Sequence, residues 1–117
     1  MTVEADLTAL VRTVLPRFYP DIVAPDKPRP HGAYHQIGGQ SPTFLDGSLP
    51  SKENGEFQIT VYADTRAEAK SIIKQIEVVL TGAAQFIARP IAAPRSDYEH
   101  DVSAYVSTQD FSIWSNR

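Results

Sequence analysis

Residues 55–82 constrain this chain more than any others, because a strand pattern runs without a break into a helix pattern. Phe57, Ile59, Val61 and Ala63 alternate with Gln58, Thr60 and Tyr62, the period of two that turns one strand face to a core and the other to solvent. Thr65-Arg66-Ala67-Glu68 follows as a capping box. The threonine oxygen can accept from the Glu68 amide while the Glu68 carboxylate reaches back to the Thr65 amide. Ala69, Ile72, Ile73, Ile76, Val79 and Leu80 then recur at steps of three and four, which gathers them on one helical face. The spacing predicts a helix over 65–81, with Ile72, Ile73, Ile76 and Leu80 buried against Phe57, Ile59 and Val61. Gly82 is placed to close that helix in a left-handed conformation.

A second helical stripe opens the chain, with Val3, Leu7, Leu10, Val11 and Val14 on one face, Thr2 as its cap and Glu4 and Asp6 in the first turn, where they suit the helix dipole. Pro16 should end it near Val14 or Leu15. Prolines 16, 20, 25, 28 and 30 follow. Because proline removes backbone donors, 16–30 reads as an extended crossing and not as a central strand. Phe18, Tyr19, Ile22 and Val23 should pin it to the core. A short strand over 33–37 closes at Gly38-Gly39, and the polar stretch 41–54 is the tip of a long hairpin, a length that is usually functional or mobile. A third strand over 85–93 contains Pro90, which suits an edge or bulge. Residues 97–101 read as a charged turn. The last strand, 102–114, changes apolar phase between Val106 and Phe111, which suggests a bulge near 108–110.

No catalytic constellation emerges. His31 and His35 lie four apart, but Pro30 and Gly32 exclude a helix there, and on a strand such residues sit about 13 Å from each other. They read as partly exposed strand histidines. Asp97, Glu99, His100 and Asp101 match no cation loop with a defined ligand order. The serines lack a nucleophile elbow, and Gly38-Gly39 precedes no helix that would make a phosphate cradle. Tyr98, Tyr105, Phe111 and Trp114 would form a base-stacking surface only if exposed together, and strand aromatics are usually core. The expectation is a protein that is not an enzyme, with no cofactor and no metal.

A chain of 117 residues reads as one domain, 1–117, able to bury roughly two-thirds of its unfolded surface. A net charge of −3 argues against non-specific nucleic-acid binding, which needs clustered Lys and Arg. The absence of cysteine excludes disulfides and thiolate chemistry and fits a reducing cytoplasm. Nothing resembles a signal peptide or a membrane span. The element order helix-strand-strand-helix-strand-strand predicts an α+β two-layer sandwich, with a mainly antiparallel sheet, both helices on one face and a long hairpin loop. A small ligand-binding α+β module is an alternative reading, and it would require a deep apolar cavity with converging polar groups.

Several strings together resemble the tail-terminator or tail-completion family of long-tailed bacteriophages and phage-like particles. They are the opening helix, the strand at 33–39, Thr43-Phe44-Leu45-Asp46-Gly47, the strand-to-helix join from Gln58 to Thr65 with Ala69, and the closing Asp110-Phe111-Ser112-Ile113-Trp114. The resemblance implies a head–tail joining protein of the virion, made in the bacterial cytoplasm. It would form a ring, usually of six subunits, that caps the tail tube, faces the head connector and lets DNA pass without specific binding. On that reading Phe44, Leu45, Asp46 and Leu49 would meet a neighbour or the tube, and Glu53, Glu56, Asp97, Glu99 and Asp101 would face the lumen.

Overall fold

The structure is a computed structural model and describes residues 2–21, 28–43 and 45–117. At its centre β3 (Lys52–Ala63) and β6 (Ala104–Asn116) run antiparallel in unbroken register, from Lys52 opposite Asn116 to Ala63 opposite Tyr105. The alternation read from the sequence holds: Phe57, Ile59, Val61 and Ala63 are buried, and Gln58, Thr60 and Tyr62 are half-buried. On the other side of β3 lies antiparallel β2 (His31–Gly38), and β1 (Phe18–Pro20) extends the sheet by pairing parallel to β2. β4 (Ile87–Pro90) and β5 (Arg95–Glu99) both pair antiparallel with β6.

With α1 (Val3–Val11) and α2 (Arg66–Thr81), the fold is α+β: two helices and a mostly antiparallel six-stranded sheet. The observed order is helix, three strands, helix, three strands, which corrects the expected two-and-two arrangement. Both added strands lie at edges, where one side of the backbone needs no partner, and there proline and charge are tolerated. Pro20 ends β1, and Arg95, Ser96, Asp97 and Glu99 are exposed on β5. The expected turn at 97–101 is therefore a strand as far as Glu99, and the expected strand at 85–93 is cut to Ile87–Pro90. Because β3 and β4 are both antiparallel to β6, they run parallel to each other with β6 between them, and α2 makes the crossover.

In α2, Thr65 caps the first turn, its hydroxyl accepting from the Glu68 amide at 3.1 Å. Ala69, Ile73, Ile76 and Leu80 are fully buried, with Ile72 packed at the margin. Gly82 does not take the expected left-handed conformation, for its φ is −93°. The terminal carbonyls are met instead by the Thr81 hydroxyl, which donates to Glu77 O at 2.8 Å, and by the amides of Gly82 and Ala83. α1 stops at Val11, earlier than expected, because its end tightens: the Thr13 and Val14 amides bond back three residues, and the Thr13 hydroxyl donates to Leu10 O at 2.6 Å. Leu7, Val11, Leu15 and Phe18 join the α2 stripe, Phe57, Ile59, Phe111 and Ile113 in a single cluster.

The change of phase in the last strand has a different cause from the bulge expected near 108–110. β6 stays in register with β3 throughout, and its core-facing positions turn polar, with Ser107 and Gln109 fully buried in line with Phe111 and Ile113. The irregularity is on the facing edge. Pro90 pairs with Phe111 and Arg95 with Thr108, so residues 91–94 span only two positions of β6. The Gln109 amide closes this gap, donating to Ala92 O and to Glu77 Oε1, both at 2.9 Å, and so ties the bulged edge to α2.

Arginines supply the donors that the proline-rich segment lacks. Arg12 donates to Phe18 O at 2.9 Å, and Arg17 to Pro28 O and Pro30 O at 3.0 and 3.1 Å. Arg29 donates to Val102 O and Ser103 O and pairs with Asp64 at 3.1 Å. Phe18 is buried and stacks on Tyr34 with ring centroids 5.3 Å apart; Ile22 and Val23 lie outside the described residues. His31, expected to be partly exposed, is buried at 5% exposure and stacks on Tyr62 at 5.0 Å, whereas His35 is exposed. Burial pulls the His31 pKa below its ordinary value of 6.5; Arg29 and Arg17 push the same way, against the opposing hydrogen bond to Pro28 O. A folded pKa below the unfolded one means that only the unfolded chain takes up a proton just below pH 6.5. Stability should thus be full above that pH and fall as the pH drops towards the folded value. His31→Phe, which keeps the stacking, should flatten this part of the curve when urea midpoints are compared between about pH 7 and pH 5.

Candidate functional site: a hairpin loop on a rigid root

The loop between β2 and β3 covers residues 39–51 and is shorter at its end than the expected 41–54, because Lys52, Glu53 and Asn54 already belong to β3. Their partners explain the difference. Pairing between β2 and β3 stops at Gly38 opposite Glu56, but β3 continues beside β6 as far as Lys52 opposite Asn116. One foot of the loop is therefore fastened to the last strand and not to the strand from which the loop departs.

Asn54, a buried residue to which the sequence pattern assigns no role, holds the root. Its side-chain oxygen accepts from the Gln40 amide at 2.9 Å, and its amide group donates to Ser112 Oγ at 2.9 Å and Ile113 O at 3.3 Å. Gly39, with φ of 148°, lies against the same residue, and a Cβ there would come within 2.5 Å of Asn54 O. That position requires glycine. Arg117 holds the other foot, its amide donating to Ser51 O at 2.8 Å and its guanidinium to Pro50 O at 3.1 Å. Asn54→Ala should cost about 1–3 kcal/mol, because the Gln40 amide and Ile113 carbonyl lose a buried partner. Faster hydrogen exchange at Gln40, without a comparable change in α2, would identify the loss as local.

Above this root the tip is exposed. Leu45 is fully exposed and Leu49 is 52% exposed. Asp46 organises the turn between them, its carboxylate accepting from the Ser48 hydroxyl at 2.6 Å and the Ser48 amide at 2.9 Å; these bonds lower its pKa. Leu45, Asp46 and Leu49 thus lie in one exposed stretch of the loop, and Phe44 lies outside the described residues.

The five acidic positions fall into two groups. Glu53 and Glu56 lie at the loop end of β3, with Glu53 3.9 Å from Arg117. Asp97 and Glu99 are on β5 beside Val106 and Ala104, with Asp101 in the turn that follows. Glu56 pairs with Ser112 and Asp97 with Val106, six residues or about 20 Å apart along the sheet. The second group has cations close by: Arg29 binds the carbonyls of Val102 and Ser103, and Arg95 is 3.6 Å from Asp110.

The aromatic residues do not make one surface. Phe111 is buried, whereas Tyr98 packs edge-on against both Tyr105 and His100 at 4.9 Å. Trp114 borders a hollow of about 500 Å³ with Phe86, Ile87 and Lys52. A larger hollow, of about 600 Å³, lies at the loop root between Gln36, Gly39, Asn54 and Arg117. Among the described residues no three His, Asp or Glu side chains come together as a metal-ion site, and no helix is long and apolar enough to cross a membrane.

A family described as "Tail completion protein gp17" has a model that matches residues 2–116. No curated protein matches the chain.

Proposed function

The chain belongs to the phage tail completion protein family, and from that premise we propose that it caps the finished tail tube as a ring of identical subunits and joins the tube to the head connector. A phage tail completion protein is a structural protein of the virion, and its partners are other tail components. In this proposal the ring has six subunits and a lumen through which DNA passes without specific binding.

The observation that carries this reading is the contrast between the loop and its root. Leu45 is fully exposed and Leu49 half-exposed on either side of a turn organised by Asp46, while the base beneath them is fixed by Asn54, Gly39 and Arg117. A loop with a fixed base and exposed apolar side chains at its tip suits docking onto another protein. A ring of identical subunits needs two different patches on each, and a loop on one side with open edges at β1 and β4 supplies unlike surfaces. The acidic residues at both ends of the sheet would keep a channel wall from holding phosphate. The experiment is to mix the purified protein with isolated tail tubes and image them. Extra density at one end of each tube, and nowhere along its length, is the expected result; bare ends, or decoration along the tube wall, would overturn the reading.

A further inference from the structure

The loop tip has an unused counterpart on the same molecule, a hollow that begins at Lys52, next to the loop's own foot. The hollow beside Trp114 is walled by Ala83, Ala84, Phe86 and Ile87, with Gln85, Ser115 and Asn116 adding polar groups, and among the described residues the one charged side chain on its lining is Lys52. The one charged residue of the loop is Asp46, set between Leu45 and Leu49. Neither charge is in an ion pair among the described residues. The Lys52 ammonium donates to the neutral Asn116 side chain, and the Asp46 carboxylate accepts from the Ser48 hydroxyl and amide. Ile87, at the rim, is 57% exposed. A tip with two exposed leucines and one negative charge and a largely apolar hollow with one positive charge are complementary in both respects.

We propose that the loop tip of one subunit seats in the hollow beside Trp114 of the next copy of this chain, with Leu45 and Leu49 covered there and Asp46 meeting Lys52. This deepens the ring reading and rests on it. The occupant is a second copy because the chain's own tip leaves the hollow open: among the described residues none of the loop 39–51 lines it, Leu45 is wholly exposed and Asp46 makes no ion pair with Lys52. Made in one direction, loop into hollow leaves a free loop and a free hollow at each step and either closes into a ring or extends as a filament, whereas a reciprocal exchange would stop at a dimer, a mass that sedimentation distinguishes.

Charge exchange tests it, with self-association of the full chain followed by sedimentation. Asp46→Lys and Lys52→Glu should each raise the association midpoint about tenfold, since like charges would then face each other. Both positions are on the surface, so thermal melting of each variant should match the parent. An equal mixture of the two variants should associate more tightly than either alone, because the Asp46→Lys loop then meets the Lys52→Glu hollow and the unchanged loop meets the unchanged hollow. Recovery in the double variant but not in the mixture would mean that the loop fills its own hollow, which overturns the proposal. Parental association by both single variants also overturns it while leaving the ring reading intact. A parent chain that fails to associate at all, with or without tubes, removes the ring reading itself.

Discussion

Replacing Phe57 with alanine should cost about 3–5 kcal/mol, the usual range for a fully buried aromatic side chain. Phe57 is 1% exposed, faces Phe111 across the β3–β6 pair and has Tyr34 at 6.3 Å on its other flank. It also fills the space above Gly55, where a Cβ would come within 2.7 Å of its ring. The cavity would open where three strands meet, with hydrogen-bonded backbone on both sides that cannot collapse into it, which places the cost high in the range. Set against about 5–15 kcal/mol for a whole domain, that is close to unfolding. Urea denaturation of Phe57→Ala beside Phe57→Leu would measure it, the leucine variant losing much less. A loss below about 1 kcal/mol for alanine would mean that the core does not rest on the β3–β6 pair.

The opposite pattern is expected at the tip. Replacing Leu45 and Leu49 together with serine should leave the melting temperature of the isolated chain almost unchanged, since exposed side chains contribute little to its folding. Assembly should nevertheless fall by an order of magnitude or more, because apolar anchors at the centre of an interface carry most of its energy. Light scattering of the double variant beside the parent separates the two effects. If the variant melts well below the parent, the leucines belong to the subunit's own core, and their role as anchors is wrong.

The parts of the fold that are legible in the sequence are those where local pattern and tertiary environment agree. In 55–82 alternation, cap and helical stripe all point one way, and the buried residues Phe57, Ile59, Val61, Ile73, Ile76 and Leu80 follow from spacing alone. The edges are less legible. β1 is three residues ending in proline, and β5 is charged or polar on nearly every position, and neither carries the alternation by which a half-buried strand is recognised. Gln109 is hidden for a related reason, since a polar side chain at a core position breaks the apolar phase. Its partners, the Ala92 carbonyl and Glu77, lie 17 and 32 residues away in the chain. At the candidate site, Leu45, Asp46 and Leu49 stand out as apolar and turn-forming residues in a polar stretch. Asn54 does not, because Asn before Gly is a turn signal, whereas in the fold it occupies a strand and fixes the loop from below.

Association of the unmodified chain tests the central claim most directly. Size-exclusion chromatography with light scattering, over a wide range of loading concentrations, should show the mass rising from one subunit towards that of a closed ring, with six subunits as the expected end point. A mass of one subunit at every concentration, unchanged by added tail tubes, would contradict it.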